Sequence, residues 1–165
     1  MKVPTIARTV QEAIPALHNS PILRVGGSLY RQPPLTLLSC LHVDGSYKHN
    51  QNRDVATAAA AFHLKAANNE ELFQKISIKA SNSTEAEWAS ILFGLRSATE
   101  NGERLLHIQN DCLGIIQSFI PYSRTPRHDY ARMYKEQIVG LANQAQWVSI
   151  SWIPREFNRA DQVLR

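Results

Sequence analysis

Residues 35–78 read LTLLSCLHVDGSYKHNQNRDVATAAAAFHLKAANNEELFQKISI, a stretch in which apolar runs alternate with polar connections. Asparagines mark both connections, a polar turn over Gly45–Asp54 and a second turn around Asn68-Asn69. Each apolar run has the length and composition of a strand, which predicts strands over Leu35–Val43, Val55–Leu64 and Leu72–Ile78. Short connections place consecutive strands side by side in opposite directions, so the segment predicts an antiparallel meander.

Helices and strands alternate after this meander. Ser83-Thr84 opens a predicted helix that continues to about Asn101 and carries an apolar face. The later pattern predicts a strand at Leu105–Gln109, a helix at Leu113–Phe119, a helix after the basic turn Tyr122–His128, a strand at Trp147–Ile153 and a last helix capped by Asn158. A meander followed by such units predicts an α/β fold, a mixed sheet of antiparallel and parallel strands covered by helices.

The first 36 residues differ from the rest and carry no motif. Ile6, Val10, Ile14 and Leu17 recur at helical spacing, so Thr5–Leu17 is compatible with an amphipathic helix, which Pro15 would end or kink. We therefore predict an N-terminal extension of unknown role over residues 1–36 and one folded domain over residues 37–165.

Composition narrows the class of protein. The chain has 165 residues, 44% of them hydrophobic, and a net charge of +4 that lies mostly in the last third. A basic excess is compatible with a polyanionic partner but does not prove one. No apolar run is long enough to span a bilayer, and Met1-Lys2-Val3-Pro4 does not begin a secretory signal. We expect a cytoplasmic monomer with no membrane partner and with Cys40 and Cys112 as free thiols.

Four acids stand where predicted elements begin or end: Asp44 after the first strand, Glu87 in the first turn of the long helix, Asp111 after the fourth strand, and Asp161 at the start of the last helix. Strand ends and helix starts can converge at one rim of a sheet. Converging carboxylates repel one another unless hard cations lie between them, and Mg²⁺ prefers oxygen ligands. Two such ions about 4 Å apart can support in-line phosphodiester hydrolysis.

Each acid also has an ordinary structural explanation. Thr84-x-x-Glu87 is a capping box, and Asn158-x-x-Asp161 is nearly one. Asp44-Gly45 is a turn dipeptide, and Asn110-Asp111 could simply start a helix. These separate explanations leave open why every acid falls at a boundary between elements, and this coincidence favours a metal cluster.

Four motifs in order along the chain carry a family resemblance: Val43-Asp44-Gly45-Ser46, Thr84-Glu85-Ala86-Glu87-Trp88-Ala89 with Gly94-Leu95, Asn110-Asp111, and WIPREFNRAD at Trp152–Asp161. Together they resemble the signature of type 1 ribonuclease H over about Leu37–Arg165. The resemblance implies a ribonuclease H-like fold, with a five-stranded mixed sheet flanked by helices. It also implies an endonuclease that hydrolyses the RNA strand of RNA/DNA hybrids and leaves 5′-phosphate and 3′-hydroxyl ends.

By position, the resemblance assigns two Mg²⁺ (or Mn²⁺) ions to Asp44, Glu87, Asp111 and Asp161. Glu85 is the rival to Glu87, and Glu87 is chosen because it takes the family's place before the apolar helix. Arg155 could hold or release the cleaved phosphate, although an ordinary surface arginine explains it equally well. Contacts to the hybrid are assigned to Ser46, Asn50, Ser83 and Thr84.

Some positions depart from the family pattern. Tyr47–Arg53 replaces the family's glycine-rich turn, and Ser83 and Thr84 stand where asparagines often help to hold a DNA phosphate. Two alternatives therefore stay open: a nuclease of the same fold acting on DNA or structured nucleic acid, and a non-catalytic nucleic-acid-binding domain. The presence of all four acids argues against the second, because binding alone would favour losing clustered negative charge.

Overall fold

The structure, a computed structural model, describes residues 21–164, which build a single six-stranded sheet in the order β1-β6-β5-β2-β3-β4. The strands are β1 (Leu23–Gly26), β2 (Ser39–Asn50), β3 (Arg53–Leu64), β4 (Glu70–Ile78), β5 (Leu105–Asn110) and β6 (Trp147–Trp152). The helices are α1 (Ser83–Glu100), α2 (Leu113–Gln117), α3 (Asp129–Ala142) and α4 (Arg159–Leu164). None of these helices is both long and apolar enough to cross a membrane.

The predicted mixed sheet is confirmed, but it has six strands instead of five. Strands β2, β3 and β4 form the antiparallel meander, and β5 pairs in parallel with both β2 and β6. The additional strand β1 pairs antiparallel with β6, with Leu23 opposite Ile150. It lies within the predicted N-terminal extension and is too short to give a strand signal by itself. The amphipathic helix predicted over Thr5–Leu17 lies outside the described residues.

The connection between β2 and β3 is much tighter than the polar turn predicted over Gly45–Asp54. Strand pairing continues to Asn50 opposite Arg53, and only Gln51 and Asn52 connect the two strands. Both have positive φ, 50° and 61°. A two-residue hairpin turn needs positive φ at both residues when the twist of the turn matches that of the two strands. Asp44 therefore lies in the middle of a long strand and not at its end. The second predicted turn is confirmed at Asn68 and Asn69, with φ of 57° and 59°.

Helix α1 lies very close to β2. A Cβ atom on Gly45 would come within 2.2 Å of the Ala86 carbonyl oxygen, and one on Gly94 within 2.3 Å of Val43 Cγ1. The two glycines therefore set the separation between helix and strand. That separation places the beginning of α1 beside the centre of β2.

We predict opposite effects of the same substitution at two helical glycines. Gly94→Ala should lower the free energy of unfolding by about 1–3 kcal/mol, because the buried Val43 side chain cannot move away without overpacking the core. Gly140→Ala in α3 should raise it by about 0.5–1 kcal/mol, because its Cβ would meet nothing within 4 Å and alanine favours helix. Urea denaturation of both variants checks this. Equal effects of the two substitutions would show that α1 has room to move.

Helix α4 packs on the face of the sheet opposite α1. Its first residue, Arg159, donates its backbone N–H to His42 Nδ1 at 3.0 Å and pairs through its guanidinium with Glu71. The same guanidinium lies 5.3 Å from the centroid of the Phe73 ring. A helix of six residues is not stable alone, so these contacts and the Asn158 side chain, which accepts the Ala160 N–H, hold it in place.

Candidate metal centre

Three acids converge at the rim of the sheet. Asp44 from β2, Glu87 from the second turn of α1 and Asp111 immediately after β5 each offer one carboxylate oxygen, and these three oxygens lie within 4.8 Å of one another. Strands β2 and β5 are parallel neighbours with His42 opposite Gln109, so Asp44 and Asp111 follow at the same level. The predicted convergence of these acids is therefore present in the structure.

Asp161 lies beside this group. It is 6% exposed and lines the same cavity of about 480 Å³ as the other three acids. Arg155 Nη2 lies 3.4 Å from Asp161 Oδ1, and most of the Arg155 side chain is exposed to solvent. The cavity lining thus contains four carboxylates, with the guanidinium of Arg155 beside Asp161.

The two candidate glutamates of α1 have different partners. Glu87 Oε2 accepts hydrogen bonds from Asn110 Nδ2 at 2.9 Å and from the Gly45 N–H at 3.3 Å. Glu85 instead points back along the chain, where its Oε2 accepts from the Ser81 N–H and hydroxyl. The helix is capped by Asn82, which accepts the Glu85 N–H, so the capping box proposed for Thr84 and Glu87 is wrong. The structure brings Glu87, and not Glu85, into the acidic group.

Two buried asparagines that no motif assigned to the site, Asn110 and Asn158, hold it together. Asn110 Nδ2 and Asn158 Nδ2 both donate to the Val43 carbonyl oxygen, at 3.0 Å and 2.9 Å. Asn110 also accepts the Cys112 N–H, which shapes the chain around Asp111. A buried carbonyl needs such partners. The signal available in the sequence was an asparagine shortly before each of the last two acids.

The other predicted contact residues lie in three different places. Ser46, Ser83 and Arg155 line the cavity with the acids, as do Lys48 and Leu164, which were not predicted. Thr84 lines a separate groove next to α2 and the loop that precedes α3. Asn50 is exposed at the far end of the β2–β3 hairpin and is not part of the cavity lining.

Burial and mutual repulsion raise the pKa values of these carboxyl groups. They raise the pKa of Asp44 to about 10, chiefly through burial and then through the neighbouring Glu87 carboxylate. Burial also raises the pKa of Glu87, and burial together with Asp161 raises that of Asp111, against an opposing effect of Arg155. Within residues 21–164, no cationic side chain pairs with Asp44, Glu87 or Asp111. An oxygen-only donor set that lacks a compensating cation fits a hard divalent metal such as Mg²⁺ or Mn²⁺.

Comparison with known proteins identifies the family. A family model described as reverse transcriptase-like matches residues 42–164, about three quarters of the chain and all four acids. The chain belongs to the reverse transcriptase-like family. No curated protein sequence matches it.

Solved structures show that this reverse transcriptase-like chain has the fold of type 1 ribonuclease H. RNase H1 from the archaeon Halobacterium salinarum NRC-1 is 16% identical, with a TM-score of 0.64 over 75% of this chain and 92% of that one. The N-terminal RNase H domain of Rv2228c from Mycobacterium tuberculosis is 22% identical, with a TM-score of 0.62 over 75% and 88%. LC11-RNase H1, solved with an RNA/DNA hybrid, is 14% identical, with a TM-score of 0.60 over 77% and 99%.

The raised pKa of Asp44 predicts an unusual pH dependence for the metal-free protein. Between the ordinary pKa of 3.8 and the folded value of about 10, the unfolded chain releases the Asp44 proton while the folded chain keeps it. The contribution of Asp44 to the free energy of unfolding therefore falls as pH rises, by at most about 1.4 kcal/mol per pH unit.

Urea denaturation in EDTA at about pH 5 and about pH 8 measures this effect. The wild type should lose stability relative to Asp44→Asn as pH rises, and added Mg²⁺ should reduce the loss, because metal binding displaces the proton. A difference between the two proteins that stays constant with pH would show that Asp44 is ionised in the metal-free fold.

Proposed function

We propose that this protein is a metal-dependent endoribonuclease that hydrolyses the RNA strand of RNA/DNA hybrids. The observation that carries the proposal is the group formed by Asp44, Glu87 and Asp111, with Asp161 lining the same cavity. The family and the fold support it, and one structure of this fold, LC11-RNase H1, was solved in complex with an RNA/DNA hybrid.

The four carboxylates would hold two Mg²⁺ or Mn²⁺ ions. When bound, these ions would lower the pKa of an attacking water and neutralise charge on the leaving oxygen, which gives a 5′-phosphate and a 3′-hydroxyl. The protein contributes a fixed arrangement of ligands, because Asn110 orients Glu87 and, with Asn158, holds the backbone next to Asp44.

The remaining cavity residues would act on the substrate. Ser46 and Ser83 offer hydroxyls on the cavity wall that can bind the 2′-hydroxyl or a phosphate of the RNA strand. Arg155 has a mostly exposed side chain at the margin of the cavity, where it can hold or release the cleaved phosphate. The group of acids that binds the metal is therefore lined by donors suited to a ribose-phosphate backbone.

Cleavage of four substrates of one sequence tests the proposal: an RNA/DNA hybrid, duplex RNA, duplex DNA and single-stranded RNA, each with Mg²⁺, with Mn²⁺ and with EDTA. Only the RNA strand of the hybrid should be cut, only with metal, and a 5′-phosphate on the products should permit ligation. Preferred cleavage of a DNA duplex or single strand would instead identify the second type of nuclease. Metal-independent binding without cleavage of any substrate would identify a binding domain.

A further inference from the structure

A second depression adjoins the acidic cavity on the α4 face of the sheet. We call it the lysine trough; it has a volume of about 330 Å³, and its polar lining consists of Ser46, Lys48, Thr57, Lys75 and Ser77. Ser46, Lys48 and Leu164 line both the cavity and the trough, so the two are continuous. No acidic side chain lines the trough.

The strand register places the hydroxyl and lysine residues of the trough on one face of the sheet. Ser46, Thr57 and Ser77 lie opposite one another across β2, β3 and β4, and therefore form a row of three hydroxyls on one face. Lys48 follows on one side of this row, opposite Val55. Lys75 lies on the other side, opposite Ala59. A surface of hydroxyls between two ammonium groups is complementary to a phosphate.

The two lysines are available for a ligand. Both are exposed, and in the described part of the chain neither ammonium group makes a hydrogen bond or an ion pair. This separates them from Arg159, which lies on the same face but is committed to Glu71 and Phe73. The trough thus keeps two uncompensated positive charges next to the acidic group.

Position relative to the acids indicates which phosphate the trough would take. Asp44, Ala59 and Lys75 form one row across three strands, so the α-carbons of Asp44 and Lys75 are about 10 Å apart. A phosphate at Lys75 would therefore differ from the one at the carboxylates. Because the depression is continuous and open, a chain of linked phosphates fits it better than a single small anion.

We propose that the lysine trough is a binding site for a phosphodiester group of the nucleic acid that is cleaved at the carboxylates, beyond the scissile bond. This deepens the proposed function and rests on it. Lys75 is the specific anchor in the trough, and its role is to bind substrate without taking part in the chemistry. Lys75 lies on the edge strand β4, where a lysine also discourages pairing with the edge strand of another molecule. That role would be served equally well by a lysine on either face of the strand.

The test compares Lys75→Gln with Lys65→Gln, which removes the same charge near the opposite end of the sheet. On a hybrid of about 20 base pairs, Lys75→Gln should raise KM about three- to tenfold and leave kcat unchanged. The slope of the logarithm of hybrid affinity against the logarithm of salt concentration should become shallower by about one. Lys65→Gln should match the wild type. Equal KM values for the two variants would overturn the proposal, as would a fall in kcat for Lys75→Gln.

A scan of neutral methylphosphonate linkages along the hybrid then locates the contact. At one linkage the difference between wild type and Lys75→Gln should vanish, because the charge that Lys75 binds has been removed. A difference that persists at every linkage would reveal only a general effect of charge and would overturn the proposal. Competition by millimolar inorganic phosphate in the wild type but not in Lys75→Gln would identify a small-anion site, with the same consequence.

Anisotropy of the labelled hybrid in EDTA separates this proposal from the proposed function. If the wild type cleaves but Lys75→Gln binds as tightly as Lys65→Gln, the nuclease proposal stands and the trough proposal fails. If the wild type cleaves nothing yet Lys75→Gln alone weakens binding, the proposed function fails and the phosphate contact remains. Gel filtration of both variants excludes aggregation through β4 as the cause of any difference.

Discussion

Asp44→Asn should reduce the rate of hybrid cleavage by at least about a hundredfold, or about 2.7 kcal/mol of activation free energy, and should stabilise the metal-free protein at neutral pH. Asp44 is 5% exposed and belongs to the acidic group, where the amide would lose a charged metal ligand but keep the shape of the side chain. Stability should rise because burial and the neighbouring Glu87 carboxylate oblige Asp44 to take up a proton on folding at neutral pH, and an amide avoids that cost.

The matched control is Asp54→Asn on the same hairpin. Asp54 is exposed, and its amide can still accept the Tyr47 hydroxyl through Oδ1. Single-turnover cleavage and urea denaturation of the two variants measure both quantities. If Asp44→Asn kept more than about a tenth of the wild-type rate, Asp44 would not be a metal ligand.

Glu87→Gln should be similarly inactive, whereas Glu85→Gln should keep most of the cleavage rate. Glu87 lies among the acids, where its Oε2 accepts from Asn110, and glutamine can preserve that hydrogen bond but not the charge. Glu85 only accepts hydrogen bonds from Ser81 just before α1, so its replacement should lower the free energy of unfolding by only about 0.5–1 kcal/mol.

The pair needs no other control, because the two substitutions are identical and two residues apart on one helix. Isothermal titration with Mg²⁺ and cleavage assays should separate them in the same direction. Loss of metal binding in Glu85→Gln with an active Glu87→Gln would mean that α1 rotates when metal binds.

The elements with strong apolar signals were predictable. The meander, the long helix and the strand before Asp111 all bury regular apolar faces, and their positions follow from that periodicity. Strand β1 escaped prediction because its four residues depend on pairing with β6, a contact between distant parts of the chain. The far half of the β2–β3 hairpin escaped because its exposed polar residues have no apolar period, so Gly45–Asp54 was interpreted as a turn.

The acids of the site were predictable from the sequence, but the side chains that hold them in position were not. Asp44, Glu87, Asp111 and Asp161 stood out through their element boundaries, even though Asp44 proved to be mid-strand. The choice of Glu87 over Glu85 depended on family position, since the cap at Asn82 is decided by local geometry. The Asn110 and Asn158 contacts with Val43 depend on where the β2–β5 pairing ends, which the sequence pattern does not specify.

The hydrogen bond from Asn158 Nδ2 to the Val43 carbonyl oxygen joins residues that are 115 positions apart in the sequence. The β2–β3 hairpin, by contrast, closes over two residues and can form within microseconds. Contacts between residues so far apart in sequence form more slowly than local ones, so this contact beside the acidic group follows the hairpin in folding. A nascent chain would thus carry a formed hairpin with Asp44 in place long before Asp161 reaches it. A ribosome-bound chain truncated after Arg155 should therefore contain the hairpin but lack Asp161 and Asn158, and we expect it to be unable to cut nucleic acid.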